Sequence, residues 1–157
     1  TTLAQLIFSD EQIQKHFQLK MWVCVSDPFH VKNIVEKIIE SPTNMKEMHT
    51  LVGELKEKID GKKYLLVLDD VWNEDQEKWS RLKQVLMGGA SGSRILVTTR
   101  SEIVAKIVRT VESYPLRGLD KDDSWYLFKQ MAFERGQEPE ENSSIVAIGR
   151  EIPAKCS

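Results

Sequence analysis

The fold of this chain is decided by the stretch Lys62-Lys63-Tyr64-Leu65-Leu66-Val67-Leu68-Asp69-Asp70-Val71-Trp72. Residues 64–68 form an apolar run without alternation, which ends abruptly at two carboxylates. Such a run predicts a strand that is covered on both faces, as in a parallel sheet. In open parallel sheets, ligands bind at the carboxyl ends of the strands. We therefore expect Asp69 and Asp70 to lie where a ligand binds.

Two adjacent carboxylates at the end of a buried strand need a cationic partner. Burial without one would be costly, because the ionised form of a carboxyl group is poorly stabilised away from water. A hydrated Mg²⁺ is the simplest candidate, since it favours one or two carboxylates together with phosphate oxygens. The sequence thus predicts a magnesium ion at Asp69 and Asp70.

Size and composition indicate a soluble α/β protein. The 157 residues are 41% hydrophobic, which is enough for one core and part of a second domain. The net charge of −2 gives no basic field, so no direct contact with nucleic acid is expected. Cys24 and Cys156 lie too far apart for a disulfide framework and indicate a reducing, cytoplasmic location. No apolar stretch approaches the length of a membrane span.

Strand and helix patterns alternate along most of the chain. The alternation predicts right-handed crossovers and a parallel sheet. Strands are predicted at residues 19–25, 64–68 and 94–99, with a weak fourth at 113–116, and apolar helical stripes precede or follow each of the first three. From Leu119 the pattern becomes helical, with Asp120 as the cap of one helix and another beginning near Ile145. We expect a sheet domain at 1–117 and the beginning of a helical domain at 118–157.

The ends of the three predicted strands carry polar side chains that would meet at one edge of the sheet: Ser26-Asp27, Asp69-Asp70 and Thr98-Thr99-Arg100. Carboxylates, hydroxyls and a guanidinium at this edge suit a phosphorylated ligand with its metal. Arg100 offers a planar fork to phosphate oxygens, although it would alternatively pair with Asp69 or Asp70.

Several other side chains are predicted to serve packing. Cys24 lies in an apolar run and is expected to be an inert, buried thiol. Trp72 is expected to pack beneath the loop that follows it rather than to touch a ligand. Three further tryptophans fall on predicted core faces: Trp22, Trp79 and Trp125.

Five segments, in the correct order, resemble the motifs of one family. Thr1-Thr2-Leu3-Ala4-Gln5 looks like the end of a phosphate-binding loop, G-x-x-x-x-G-K-T-T. Residues 65–72 resemble the Walker B motif, and residues 92–100 the sensor strand, of the NB-ARC family. Residues 17–26 and 114–133 match further motifs of the same family. The family is that of the plant disease-resistance proteins with a nucleotide-binding site and leucine-rich repeats, and Trp72 resembles its coiled-coil branch.

The resemblance implies roles for particular residues. Thr1 matches the hydroxyl that binds Mg²⁺, and Thr2 its neighbour beside the phosphates. Asp69 matches the carboxylate that holds the Mg²⁺ shell. Asp70 matches the carboxylate that polarises the attacking water, and Arg100 the sensor of the γ-phosphate. Such roles suit phosphoryl transfer, which depends on positioning and charge neutralisation.

The resemblance also implies a fold with parts that these residues do not include. It implies a P-loop NTPase-like parallel sheet flanked by helices, without the phosphate loop or its strand, followed by the start of the helical ARC domain. A helix that begins at residue 1 looks cut from a longer protein. Because the family's phosphate-loop strand is central, we expect the sheet to be short of a neighbour and its strand edges to be exposed. We also expect these 157 residues alone to bind nucleotide poorly.

Three functions follow as hypotheses. The first is an ATP/ADP switch with slow hydrolysis, part of an intracellular plant immune receptor. It would act with coiled-coil and leucine-rich-repeat domains of the same protein, with a pathogen effector or a guarded host protein, and by self-association. The second is a scaffold that holds ADP without turnover. The third, a phosphoacceptor receiver domain, fits less well, because its acidic pair would follow the first strand rather than the second.

Overall fold

The computed structural model describes residues 1–25, 27–40, 47–133 and 144–154, with only the backbone of 152–154. The chain divides into two compact units, Thr1–Ser113 and Tyr114–Ser157. No helix of the described part is long and apolar enough to span a membrane. Predictions for Ser26, Cys156 and the polar break at 136–142 lie outside the described residues.

The first unit is an α/β structure with a parallel sheet, as predicted. Its strands follow the order β1-β2-β3, and helices lie before, between and after them. The elements that the structure describes in this unit are α1 (Thr2–Ser9), α2 (Glu11–His16), β1 (Leu19–Cys24), α3 (Val31–Ile39), α4 (Met48–Ile59), β2 (Tyr64–Asp69), α5 (Gln76–Leu86), β3 (Arg94–Val97) and α6 (Glu102–Val108).

Strand β2 forms the centre of the sheet. All six of its residues are buried, which confirms the interpretation of the apolar run. Leu66 lies opposite Met21 of β1 on one side and opposite Ile95 of β3 on the other. Strand β2 therefore has a neighbour on each side, and the strand edges expected to be exposed are the outer edges of β1 and β3. Pairing on both sides satisfies backbone groups that a buried strand cannot leave to water.

The two faces of the sheet are covered differently. On one face α3, α4, α5 and α6 form a core around Leu66 and Leu68, both fully buried. On the other face Ala4 of α1 and Phe17, after α2, pack against Leu65 and Val67. Because side chains alternate along a strand, successive residues of β2 belong to these separate cores.

Some local predictions for the first unit are corrected. The first helical segment is two helices, because the Asp10 side chain accepts hydrogen bonds from the backbone N–H groups of Gln12 and Ile13 and so caps α2. Strand β3 is shorter than predicted and only partly buried, since it lies at an edge. Cys24 is exposed, not buried, at the end of the other edge strand. Residues 113–116 form no strand.

The second unit consists, in its described part, of α7 (Lys121–Ala132) and α8 (Ser144–Ala154). The Asp120 side chain accepts a hydrogen bond from the N–H of Asp123, which confirms the predicted cap. Trp125 is buried and stacks on Phe128, with 5.7 Å between the ring centroids. Gly149 of α8 lies so close that an added Cβ would be 2.6 Å from Trp125.

The buried face of α7 is narrower than predicted. Met131 is 82% exposed and Ala132 is also exposed, because α8 contacts the stripe formed by Trp125 and Phe128. Pro153 lies within α8, and the residues after Ala154, which would show an early end, lie outside the described residues.

Candidate functional site

Asp69 is the buried member of the acidic pair. Only 3% of the residue is exposed, and hydroxyl groups surround its carboxylate. Thr1 Oγ1 lies 3.1 Å from Oδ1 and 3.0 Å from Oδ2, and Thr98 Oγ1 donates to Oδ1 at 2.6 Å. Thr1 caps the start of α1 and Thr98 follows β3, so three segments meet at this carboxylate. The hydrogen bonds offset the cost of burial.

Asp70 faces solvent, although it is the next residue. Its φ of 59° is left-handed, a conformation that costs a residue other than glycine about 1–2 kcal/mol. The turn at this point sends the Asp69 side chain inward and leaves Asp70 exposed. The N–H of Asp70 donates to Thr98 Oγ1 at 2.9 Å. The two carboxylates thus occupy different environments and suit different tasks.

Arg100 does not neutralise the acidic pair. Within the part of the chain that the structure describes, no ion pair joins it to Asp69 or Asp70, so the alternative interpretation of its role is wrong for this structure. The guanidinium instead lies 5.8 Å from the ring centroid of Trp72. Trp72 is 50% exposed, which contradicts the prediction that it packs beneath the following loop. Its ring supports the arginine at the surface.

Thr2 and Asp27 lie apart from this cluster. Thr2 is exposed at the first position of α1, and among the described residues its side chain makes no hydrogen bond to Asp69 or Asp70. Asp27 is exposed and lines a small cavity with four residues, Val25, Phe29, Trp72 and Asn73. That cavity is small, with room for roughly one water molecule.

The oxygen atoms at Asp69 fit a hard divalent cation such as Mg²⁺. The Thr1 hydroxyl and the Asp69 carboxylate are adjacent hard-oxygen ligands, and Mg²⁺ keeps its remaining positions for water and phosphate oxygens. The described residues contain no group of three or more His, Cys, Asp or Glu side chains suited to a metal. A zinc site built from three such side chains is therefore absent from this part of the chain.

The role of Thr98 could not be seen in the sequence. The strand-end pattern includes Thr98, but the pattern cannot show which side chain of β3 reaches β2. Leu68 pairs with Val97, so the register places Thr98 beside Asp69. Once direct pairing of β2 with β3 is known, the alternation along the strands identifies this contact.

Known proteins resemble this chain throughout its length. The model of the NB-ARC domain family matches residues 1–138. "Putative disease resistance protein RGA4" of Solanum bulbocastanum is 49% identical over 160 residues, and "Disease resistance protein RGA2" of the same species is 47% identical over 164. "Putative disease resistance RPP13-like protein 1" of Arabidopsis thaliana is 40% identical over 162.

Each alignment covers 99% of this chain but only 15% or 16% of the relative. The match extends over the sheet, the acidic strand end and α7 together, so it reflects the whole arrangement rather than one motif. The chain belongs to the NB-ARC domain family.

Proposed function

We propose that this chain is part of an ADP/ATP-binding switch in which Asp69 and Thr1 hold Mg²⁺ beside the phosphates of the nucleotide. The observation that carries the proposal is the contact between the Thr1 hydroxyl and the buried Asp69 carboxylate, which joins residues 68 positions apart. A hydroxyl and a carboxylate in contact at the carboxyl end of a central strand form a ready pair of Mg²⁺ ligands. Bound Mg²⁺ would neutralise phosphate charge.

Asp70 is proposed as the residue that orients the attacking water. Its carboxylate is exposed, and among the described residues it has no hydrogen bond or ion pair. It follows the metal-binding carboxylate directly, so a water beside the terminal phosphate would lie within its reach. To act as a general base, the Asp70 carboxylate must first lie within hydrogen-bond distance of that water, and its pKa must then suit proton transfer.

Arg100 is proposed as the sensor of the γ-phosphate, with Thr2 beside the phosphates. A cation–π contact at an exposed site contributes about 0.5–1 kcal/mol, whereas a hydrogen bond to a charged group contributes about 1.5–3 kcal/mol. Arg100 can therefore leave Trp72 for a phosphate at a net gain. ATP would engage the arginine, whereas ADP would leave it on the ring.

The biological role is proposed from the relatives, whose names describe disease resistance proteins of plants. The switch would control defence signalling from the cytoplasm. Residues 1–117 would form part of its nucleotide-binding domain and residues 118–157 the beginning of its ARC domain. Coiled-coil and leucine-rich-repeat domains of the same protein, a pathogen effector or a guarded host protein, and further copies of the receptor would be its partners. Nucleic acid would not be one.

A scaffold that holds ADP without turnover is the second candidate. The exposed position of Asp70 favours it, because no described neighbour orients that carboxylate. Asp70→Ala distinguishes the two candidates. The switch predicts a fall in ATP hydrolysis with nucleotide binding retained, whereas the scaffold predicts no change in either.

The central test is Mg²⁺-dependent retention of ADP by the longest version of the protein that includes a phosphate loop before Thr1. Asp69→Ala is expected to abolish the Mg²⁺-dependent part of retention. Asp27→Ala is the matched control, an exposed aspartate near the end of β1 that makes no hydrogen bond or ion pair with Thr1 among the described residues. Retention that is unchanged by Asp69→Ala would refute the proposed function.

A further inference from the structure

Thr98 makes hydrogen bonds to both sides of the acidic pair. Its hydroxyl donates to Asp69 Oδ1 at 2.6 Å and accepts the N–H of Asp70 at 2.9 Å. Its own N–H donates to the carbonyl of Leu68 at 3.0 Å, and its carbonyl accepts the N–H of Val71 at 2.9 Å. The backbone of Thr98 thus holds Leu68 and Val71, the residues on either side of the two aspartates. The side chain of Thr98 holds the aspartates themselves.

These bonds have different consequences for the two aspartates. The bond to Asp69 is short, and it fixes the rotation of that side chain. In this orientation both carboxylate oxygens lie within hydrogen-bond distance of the Thr1 hydroxyl. Asp70 adopts the left-handed conformation at the turn that separates the two carboxylates. There the Thr98 hydroxyl accepts the hydrogen bond from the Asp70 N–H.

We propose that Thr98 is a positioning residue for the metal site, an inference that rests on the proposed function. Its hydroxyl aims Asp69 at the ion and holds Asp70 in its outward turn. Neighbours that orient a metal-binding carboxylate commonly change metal affinity when they are removed, although they never touch the ion. Thr98 would therefore set how much Mg²⁺ the protein needs to retain nucleotide.

Thr99 provides an unusually close control. It is the same residue type at the next position, and its hydroxyl also makes two hydrogen bonds, donating to the Val71 carbonyl at 2.7 Å and accepting the N–H of Ser101 at 3.0 Å. Neither bond involves an aspartate. Thr99→Val and Thr98→Val thus remove equal numbers of hydrogen bonds and the same atoms, and only Thr98→Val releases the acidic pair.

The test measures nucleotide retention against Mg²⁺ concentration in the longest version of the protein that includes a phosphate loop. Thr98→Val is expected to raise the Mg²⁺ requirement about 10- to 100-fold, while release of nucleotide in EDTA is unchanged. Thr98→Ser keeps the hydroxyl and should restore most of the Mg²⁺ dependence. Thr99→Val should match the unsubstituted protein. A general loss of stability would instead affect release with and without Mg²⁺.

The outcomes distinguish a failure of the positioning role of Thr98 from a failure of the proposed function. If the unsubstituted protein shows no Mg²⁺-dependent retention, the proposed function fails and this inference with it. If it does, and Thr98→Val behaves like Thr99→Val, only the inference is overturned. Should Thr98→Val fail to fold, hydrogen exchange at the Asp70 amide of the unsubstituted protein decides. Slow exchange supports the bond to Thr98, and exchange at the rate of a free amide refutes it.

Discussion

The two faces of the sheet differ in how deeply they are buried. Four helices cover one face, and its core includes residues with no exposed surface, such as Leu66, Leu82 and Val104. Two short helices cover the other face, and α1 leaves Leu3 42% and Leu6 66% exposed. Stability is therefore concentrated on one side of the sheet.

The candidate site depends on the thinner side. Thr1 reaches Asp69 only while α1 stays packed on Leu65 and Val67. Strand β2 belongs to both cores, so it connects the stable face to the acidic strand end. This arrangement allows α1 to loosen without unfolding of the domain, because regions with few buried contacts open at lower cost than the core. The following predictions test the difference between the faces.

The largest effect is expected from truncating neighbouring leucines of β2 that face opposite cores. Leu66→Ala should lower the free energy of unfolding by about 4 kcal/mol, since it leaves a cavity inside the four-helix face. Leu65→Ala should cost about 2 kcal/mol, because the thin face can relax around the gap. Urea unfolding of both variants measures the two values. Equal losses would show that the faces are equally well packed.

The architecture was largely predictable because its signals are local. Residues 64–68 form an apolar run that only a strand covered on both faces explains, and the helical stripes around them have regular spacing. Asp10, Asp75 and Asp120 act as caps within three residues of the groups they bind. Asp120 was recognised from its position alone. Burial at strand ends was not predictable: Cys24 lies in an apolar run, yet it is exposed as the last residue of β1, whereas its neighbour Val23 is buried.

The contacts within the site were less predictable, because they join segments far apart in the chain. The resemblance to a family selects Thr1 and Asp69, and the structure brings them together. The resemblance does not reveal that β3 pairs directly with β2. The contact between Thr98 and Asp69 depends on this pairing. The position of Arg100 over Trp72 is likewise set by the loops that follow the strands, whose paths no pattern in the sequence encodes.

A second effect is expected at alkaline pH, on the well-covered face. Burial raises the pKa of Tyr64 above 10.0, and its hydroxyl donates to the Leu86 carbonyl at 2.8 Å. Above pH 10 the unfolded chain loses this proton while the folded protein keeps it. Stability should therefore be intact below pH 10 and fall by up to about 1.4 kcal/mol per pH unit above it.

Tyr64→Phe is the control for that pH dependence. It removes the ionisable hydroxyl and one hydrogen bond, so it should be less stable by about 1 kcal/mol at neutral pH. Its free energy of unfolding should then decline less steeply above pH 10 than that of the unsubstituted protein. Parallel curves for the two proteins would mean that Tyr64 does not contribute to the alkaline loss.

A smaller difference is expected between two helix caps, one on each face. Asp75 caps α5, accepting from the N–H groups of Glu77 and Lys78, and Asp10 caps α2 in the same way. Asp75→Ala should cost about 1 kcal/mol. Asp10→Ala should cost less in global unfolding, roughly 0.5 kcal/mol, because α2 has six residues and contributes little to the core.

Amide hydrogen exchange measures where the loss from each cap appears. Asp10→Ala should speed exchange within α2 and leave the amides of β2 protected, since the thin face opens locally. Asp75→Ala should instead speed exchange in α5 and in the strands it covers. Uniform acceleration throughout the sheet in both variants would contradict the distinction between the two faces.

The smallest effect is expected at the end of the sheet, where Arg100 lies over the half-exposed ring of Trp72. A double-mutant cycle with Arg100→Ala and Trp72→Ala should give a coupling energy of about 0.5–1 kcal/mol without nucleotide. In the proposed switch, ADP leaves this coupling intact and ATP removes it, because the γ-phosphate takes the guanidinium. Coupling of the same size with both nucleotides would place Arg100 outside the sensing step, whereas its loss with ATP alone would identify the contact as the ADP-state position of the sensor.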